Sequence, residues 1–221
     1  VDCGGAWLYP GSSSGIVTTP SWSVEGDSAD ARLGAAATLA GDVDGDGYAD
    51  VLIGAPGHSD GQATEGQVLL YSGAQGGPAT TATWTYESDQ AGAELGNAVA
   101  GGGDVNADGY ADLLVGSEYH DNVEFDEGRA FLFLGGPGGP AGTPDWTAEP
   151  DQHNARFARS LSFAGDMNAD GFSDIVVGAP WMDDGEYREG WIYVYLGSAS
   201  GLTAASEIKL TASDGAAYDR D

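Results

Sequence analysis

An internal repeat of 62 residues is the feature that most constrains how this chain of 221 residues can fold. The strings GDVDGDGYADVLIGAP, GDVNADGYADLLVGSE and GDMNADGFSDIVVGAP begin at residues 41, 103 and 165. Tryptophan keeps the same spacing, at Trp22, Trp84 and Trp146. Units of constant length and similar sequence indicate an array of one supersecondary motif that is stacked on itself.

Each repeat is predicted to contain four short β-strands and no helix. In the first repeat the candidate strands are LGAAATLA (33–40), DVLIGA (50–55), GQVLLYS (66–72) and TWTYE (83–87). The segments between them are rich in Gly, Asp and Ser, which accept tight or left-handed turns. Four strands in a repeat of this length predict the blades of an all-β fold, a β-propeller, with the small-residue strand innermost. A β-helix, whose repeats are shorter, and a row of thin sandwich domains are less consistent with this pattern.

The charge balance excludes several partners. Asp and Glu number 35 against 7 Lys and Arg, and the formal net charge is −28. Such a chain is not expected to bind nucleic-acid phosphates or anionic lipid, and no run of about 18 apolar residues predicts membrane insertion. High charge with few large aliphatic residues is also typical of disorder. Folding is nevertheless favoured by the 6 Trp, 10 Tyr and 6 Phe and by the clustering of acids in short loops.

Those acidic clusters form one loop per repeat, with oxygen donors at positions 1, 3, 5, 7 and 9. The residues are Asp42, Asp44, Asp46, Tyr48 and Asp50; Asp104, Asn106, Asp108, Tyr110 and Asp112; and Asp166, Asn168, Asp170, Phe172 and Asp174. Calcium takes six to eight hard oxygens, here side chains at positions 1, 3, 5 and 9 and a carbonyl at position 7. Glycine at position 6 allows the sharp turn, and a strand follows directly, unlike in an EF-hand.

We therefore expect about three Ca²⁺ ions per chain in a structural role. The first loop, with four Asp, is expected to bind more tightly than the two loops that contain Asn. Magnesium and zinc suit these donors less well. The alternative is an acidic turn without metal, which three copies in register disfavour.

The repeats resemble FG-GAP repeats, the units of the integrin α-chain propeller and its bacterial relatives. The FG positions are 33–34, 95–96 and 157–158, and the GAP positions are 54–56, 116–118 and 178–180. Cys3 is the single cysteine, so the disulfides of animal integrin blades have no counterpart, as in a bacterial-type relative. The resemblance implies a calcium-stabilised, non-catalytic, secreted or cell-surface module for protein interaction or adhesion.

The blade boundaries predict an incomplete ring. Full blades are expected at 33–87, 95–149 and 157–211, a partial blade at 4–25 and the lead into a following blade at 213–221. Closed propellers usually have four to eight blades. We therefore expect self-association, or further blades of a longer chain, to close the ring.

A candidate ligand face lies opposite the calcium loops, formed by the loops after the second and fourth strands. It comprises His58, Tyr119, His120, Trp181, Asp183 and Tyr187. In integrin-like propellers the corresponding face binds ligands, although these aromatic residues could instead pack between blades. Two alternative functions are glycan binding and hydrolysis by paired carboxylates, Asp183 or Asp184 with Glu186.

Overall fold

The computed structural model describes residues 3–183, 187–202 and 208–211, and every regular element within these ranges is a β-strand. The strands in chain order are β1 (Gly5–Leu8), β2 (Gly11–Ser12), β3 (Gly15–Ile16), β4 (Trp22–Glu25), β5 (Ala36–Gly41), β6 (Asp50–Ala55), β7 (Gln67–Tyr71), β8 (Trp84–Glu87), β9 (Ala98–Gly103), β10 (Asp112–Ser117), β11 (Arg129–Phe133), β12 (Trp146–Ala148), β13 (Ser160–Gly165), β14 (Asp174–Ala179), β15 (Trp191–Tyr195) and β16 (Ile208–Thr211).

The strands form successive antiparallel meanders. β5 to β8, β9 to β12 and β13 to β16 each make a four-stranded sheet in sequence order. Before them, β1 pairs with β4 in a two-stranded sheet, and β2 and β3 form a small hairpin between those two strands. These sheets confirm the predicted all-β fold of four-stranded blades, a partial β-propeller. The predicted segment 213–221 lies outside the described residues.

The first strands of the three sheets lie side by side, β5 next to β9 and β9 next to β13. Small residues make this close approach possible. A Cβ atom on Gly101 would lie 2.6 Å from Cα of Ala40 in the neighbouring strand. A Cβ atom on Gly103 would lie 2.0 Å from the ring of Phe163. The inner position predicted for the small-residue strands follows from these contacts.

The FG and GAP positions meet at the contacts between sheets. A Cβ atom on Gly54 would lie 2.0 Å from the carbonyl oxygen of Gly96, and one on Gly116 would lie 2.3 Å from that of Ala158. Only glycine fits at Gly54 and Gly116 because the backbone of the next sheet occupies this space. The FG residues themselves form a turn, so β5 begins at Ala36 and not at residue 33 as predicted. Each repeat therefore encodes its contact with the following repeat.

The repeated tryptophans connect the outer strand of each sheet to the following sheet by hydrogen bonds and ring packing. The indole Nε1 atoms of Trp22 and Trp84 donate to the carbonyls of Ala79 and Ala141, both at 2.9 Å. Each of the three rings also packs edge-on against an aromatic ring of the following sheet. The pairs and centroid distances are Trp22 with Tyr71 (5.2 Å), Trp84 with Phe133 (4.9 Å) and Trp146 with Tyr195 (4.8 Å).

Candidate metal centres

The three acidic loops connect the first and second strands of the four-stranded sheets. In each sheet a register shift occurs where the inner strand meets the loop, so one residue bulges out of the ladder. In the first loop, Asp42, Asp44 and Asp46 place carboxylate oxygens within 4.8 Å of one another. The two oxygens of Asp42 accept hydrogen bonds from the backbone N–H groups of Gly45 and Gly47, at 2.8 and 2.9 Å. The loop backbone thereby gathers the predicted position 1, 3 and 5 ligands.

The second loop has the same turn with an amide at position 3. Asp104 accepts backbone hydrogen bonds from Asp108 and Gly109 at 3.1 and 2.9 Å. Asn106 Oδ1 accepts from the backbone N–H of Asp108 at 3.2 Å, and Asn106 Nδ2 donates to Asp108 Oδ2 at 2.9 Å. The third loop repeats all four bonds, among Asp166, Asn168, Asp170 and Gly171. The neutral Asn side chain thus replaces one carboxylate of the first loop and donates a hydrogen bond to another.

The position 9 aspartates Asp50, Asp112 and Asp174 are fully buried at the base of the loops. Each accepts one backbone N–H from inside its loop and one from the segment after the third strand, at 2.7 to 2.9 Å. Burial raises the pKa of Asp112 to about 6, against the lowering effect of its two hydrogen bonds. Burial likewise raises the pKa of Asp50. A charged carboxylate here is therefore costly unless a cation lies nearby.

The donor chemistry of the loops fits a calcium ion. The side chains offer only carboxylate and amide oxygens, and each loop is short and lies at the surface, as hard-cation sites require. The oxygens of Asp50 and its equivalents each have a backbone donor and a further lone pair. Ligation by these carboxylates and by the carbonyls of Tyr48, Tyr110 and Phe172 stays a prediction.

The two histidines predicted on the opposite face lie in different surroundings. His58 Nε2 lies 3.4 Å from Oε1 of Glu87. His120 is only 8% exposed and packs against the ring of Phe131. Burial, with a smaller contribution from the cation of Arg129, lowers the pKa of His120 to about 4. His120 is therefore neutral and packed between strands and loops, so its side chain offers little surface to a ligand.

Tyr119, Trp181 and Tyr187 of the predicted ligand face belong to a stack of alternating arginine and aromatic side chains. The Arg156 guanidinium carbon lies 3.8 Å from the ring centroid of Tyr119 and 4.8 Å from that of Trp181. Arg188 lies over Trp181 and Tyr187, at 4.2 and 4.9 Å. Tyr187 is 77% exposed, whereas Tyr119 and Trp181 are half-buried in this stack.

Tyr119 and Trp181 thus pack, through Arg156, between two neighbouring sheets, which is the alternative given above for this face. Asp183 is exposed near the same end. Asp184 and Glu186, the candidate hydrolytic partners, lie outside the described residues.

A further acidic group was not predicted from the sequence. Glu65, Glu87 and Asp89 bring carboxylate oxygens within 4.8 Å of one another, at the end of the first four-stranded sheet away from its acidic loop. A signal was present, since Glu87 and Asp89 recur after the tryptophan of the second repeat as Glu149 and Asp151. The spacing alone does not show that Glu65 lies beside them.

Comparison with known proteins agrees with this architecture. The family model described as FG-GAP repeat matches residues 34–71, 95–133 and 157–195. Integrin alpha pat-2 of Caenorhabditis briggsae is 33% identical over 80% of this chain, which covers 15% of that protein. Integrin alpha-PS2 of Drosophila melanogaster is 38% identical over 62% of the chain, and integrin alpha-3 of Cricetulus griseus is 35% identical over 70%. The chain covers 11% and 14% of those two proteins.

The described residues contain no helix that is long and apolar enough to cross a membrane.

Proposed function

The chain belongs to the FG-GAP repeat family, and from this premise we propose that it is a calcium-stabilised, non-catalytic extracellular module for protein interaction or adhesion, of the integrin-like propeller type. The observation that carries the proposal is the recurrence of one acidic loop geometry in three consecutive sheets. The names of the matched relatives, integrin alpha chains, support the functional class.

Calcium would act by relieving repulsion in the loops. Asp42, Asp44 and Asp46 would hold one ion, and the corresponding side chains of the second and third loops would hold two more. The bound ion supplies positive charge to carboxylates that otherwise repel one another. Because an ion that binds the folded loop and not the unfolded chain stabilises the fold, chelation should lower the melting temperature.

The buried aspartates link each loop to the rest of its sheet. Asp112 joins the N–H of Val105 inside the loop to that of Gly135 after β11. An ion held by the loop would therefore order the first three strands of the sheet together. Burial raises the pKa of Asp50 and Asp112, and backbone N–H groups bind their carboxylates. We therefore ascribe to these residues a structural role and not acid–base catalysis.

The protein partner is proposed to bind the end of the sheets opposite the calcium loops. The exposed ring of Tyr187 and the nearby Asp183 lie there, on a base of stacked arginine and aromatic side chains. A rigid aromatic side chain that protrudes from a packed base is a typical anchor of a protein interface. Further blades, from a longer chain or from a second chain, are proposed to complete the ring, because closed propellers usually have at least four.

The proposal is tested by attachment of cells to surfaces coated with the protein. We expect attachment in calcium and its loss after chelation. The double variant Asp183→Ala and Tyr187→Ala should reduce attachment, whereas Met167→Ala, which changes an exposed side chain on a calcium loop, should not. Attachment that is indifferent to calcium, or that is equally affected by both variants, would contradict the proposed face and its dependence on calcium.

A further inference from the structure

The structure assigns a second kind of cation site to the first four-stranded sheet, at the end opposite its calcium loop. We propose that Glu65, Glu87 and Asp89, together with His58, bind a divalent transition-metal cation such as Mn²⁺ or Zn²⁺. Glu65 and His58 come from the connection between β6 and β7, whereas Glu87 ends β8 and Asp89 follows it. The proposal is independent of calcium binding by the acidic loops.

The three carboxylates converge on one point, and His58 lies beside one of them, Glu87. Oxygens of the three carboxylates lie within 4.8 Å of one another, and His58 Nε2 lies 3.4 Å from Glu87 Oε1. Ligands bound at about 2.0–2.2 Å from one ion are about 3–4 Å apart, so only a small closure is needed. Asp89 is exposed and can supply this movement, while Glu65 and Glu87 are held by hydrogen bonds.

The burial of Glu65 is an observation independent of the clustering of the three carboxylates. Its side chain is 0% exposed, and Oε1 accepts the backbone N–H of Asp60 at 2.6 Å. Its other oxygen, Oε2, is buried and has no hydrogen-bond partner. His58 Nε2 is also buried without a hydrogen bond. A buried carboxylate oxygen that lacks a donor is costly, and a cation placed among these atoms would remove that cost.

The equivalent residues of the second four-stranded sheet have an arginine beside them. Glu127, Glu149 and His120 occupy the positions of Glu65, Glu87 and His58 one repeat later. Position 67, however, is Gln in the first sheet, and the corresponding residue of the second is Arg129. Arg129 Nε lies 3.5 Å from Glu149 Oε2, whereas Gln67 can only donate a neutral amide hydrogen to Glu87, at 2.6 Å.

In the second sheet the arginine cation therefore offsets the charge of Glu149, whereas Glu127 Oε2, like Glu65 Oε2, is buried without a hydrogen-bond partner. Asn122 adds a further donor to Glu149, where the first repeat has Asp60. Within the third sheet as far as it is described, Thr211 replaces the glutamate at the end of the fourth strand. In the part of the chain that the structure describes, only the first sheet combines two glutamates, an aspartate and a histidine at these positions with no arginine beside them.

The donor set determines the class of ion. Carboxylates suit magnesium, calcium and manganese, whereas imidazole nitrogen suits zinc and neighbouring transition metals. A pocket with three carboxylates and one imidazole favours Mn²⁺ or Zn²⁺ over the calcium expected in the all-oxygen loops. The site also adjoins the contact with the next sheet, where Leu95 N donates to the carbonyl of Glu65 at 3.0 Å. An ion here would link the end of β8 to the segment that contacts the next sheet.

The test is a Mn²⁺ titration of the full chain in saturating calcium, followed by the loss of the electron paramagnetic resonance signal of free Mn²⁺. The wild-type chain should bind one Mn²⁺ ion that the Gln67→Arg variant does not bind, because the variant copies the internal cation of the second sheet. Glu65→Gln should weaken this binding at least about tenfold. The matched variant Glu127→Gln, in the pocket that already contains Arg129, should retain it.

Equal Mn²⁺ binding by the wild type and Gln67→Arg would overturn the proposal, since the remaining ions would then belong to the acidic loops. Complete displacement of Mn²⁺ from the wild type by excess calcium would overturn it too. If Glu65→Gln fails to fold, as judged by its thermal melt, the Gln67→Arg comparison decides the result. Calcium binding is measured separately on the same samples, so failure of this site is distinguishable from failure of the loops.

Discussion

Replacement of Asp44 by Asn should make the metal-free protein more stable and its calcium binding weaker. Asp44 lies within 4.8 Å of both Asp42 and Asp46, measured between carboxylate oxygens. Two unit charges at that separation repel by about 0.9 kcal/mol in water, so the two pairs contribute about 2 kcal/mol. Screening at physiological ionic strength reduces this sum to about 1 kcal/mol.

The substitution preserves the fold of the loop because the second loop already contains it. Asp44 Oδ1 accepts the backbone N–H of Asp46 at 3.2 Å, and Asn106 Oδ1 makes the equivalent bond to Asp108 at 3.2 Å. The Asn106 amide also donates to Asp108 Oδ2. Asp44→Asn should therefore gain a hydrogen bond and lose repulsion when no ion is bound.

Thermal melts with chelator and with calcium measure both effects. In chelator we expect a rise in melting temperature of about 2–4 °C for about 1 kcal/mol in a chain of this size. In calcium the stabilisation should shrink, because one charged ligand is lost and the affinity of the first loop falls about tenfold, or about 1.4 kcal/mol. The reverse change in the second loop, Asn106→Asp, should produce the opposite pair of shifts.

A fall in the metal-free melting temperature of Asp44→Asn would refute the argument from repulsion. An unchanged calcium-induced shift in both variants would show that position 3 does not contact an ion.

Three further predictions concern the fold and are measured by urea denaturation. His120 has a pKa near 4 when folded and 6.5 when unfolded, so the unfolded chain takes up the proton first as the pH falls. This residue should lower the free energy of unfolding by about 2 kcal/mol at pH 5. His120→Gln should remove that part of the pH dependence, and an unchanged slope of the free energy of unfolding against pH would contradict the prediction. Phe157→Ala, at a fully buried FG position, should lower the free energy of unfolding by about 3–5 kcal/mol. Phe125→Ala, at a side chain that is 58% exposed, should change it by no more than about 0.5 kcal/mol. Equal losses in the two variants would be inconsistent with the packing. Gly116→Ala should destabilise the chain by about 1–3 kcal/mol because its Cβ would lie 2.3 Å from a carbonyl oxygen, and Gly136→Ala, with open space, is the control that should not change.

The order of the strands was predictable because each 62-residue repeat contains the same four apolar segments in the same order. The predicted strand 50–55 coincides with β6, whose side chains are all buried. The start of β5 was wrong by three residues because contacts with distant residues decide it. Leu33 N donates to the carbonyl of Cys3, and Gly34 N donates to that of Gly54. These bonds hold the FG residues in a turn, although their sequence continues smoothly into the strand.

The acidic loops were predictable because their donors lie close together in sequence. The pocket of Glu65 and Glu87 was not, since residues 22 positions apart meet there only after three strands have paired. His58 and His120 were likewise indistinguishable in the repeat. Their surroundings differ because residues of another strand differ: Phe131 and Arg129 lie near His120, where the first repeat has Leu69 and Gln67.

The most direct test of the central claim is a calorimetric calcium titration of the chelator-treated chain. We expect about three ions per chain and a melting temperature that rises with calcium concentration, since the ions bind the folded loops. An absence of binding heat, together with a melting temperature that chelator does not change, would contradict calcium stabilisation and leave the loops as turns between strands.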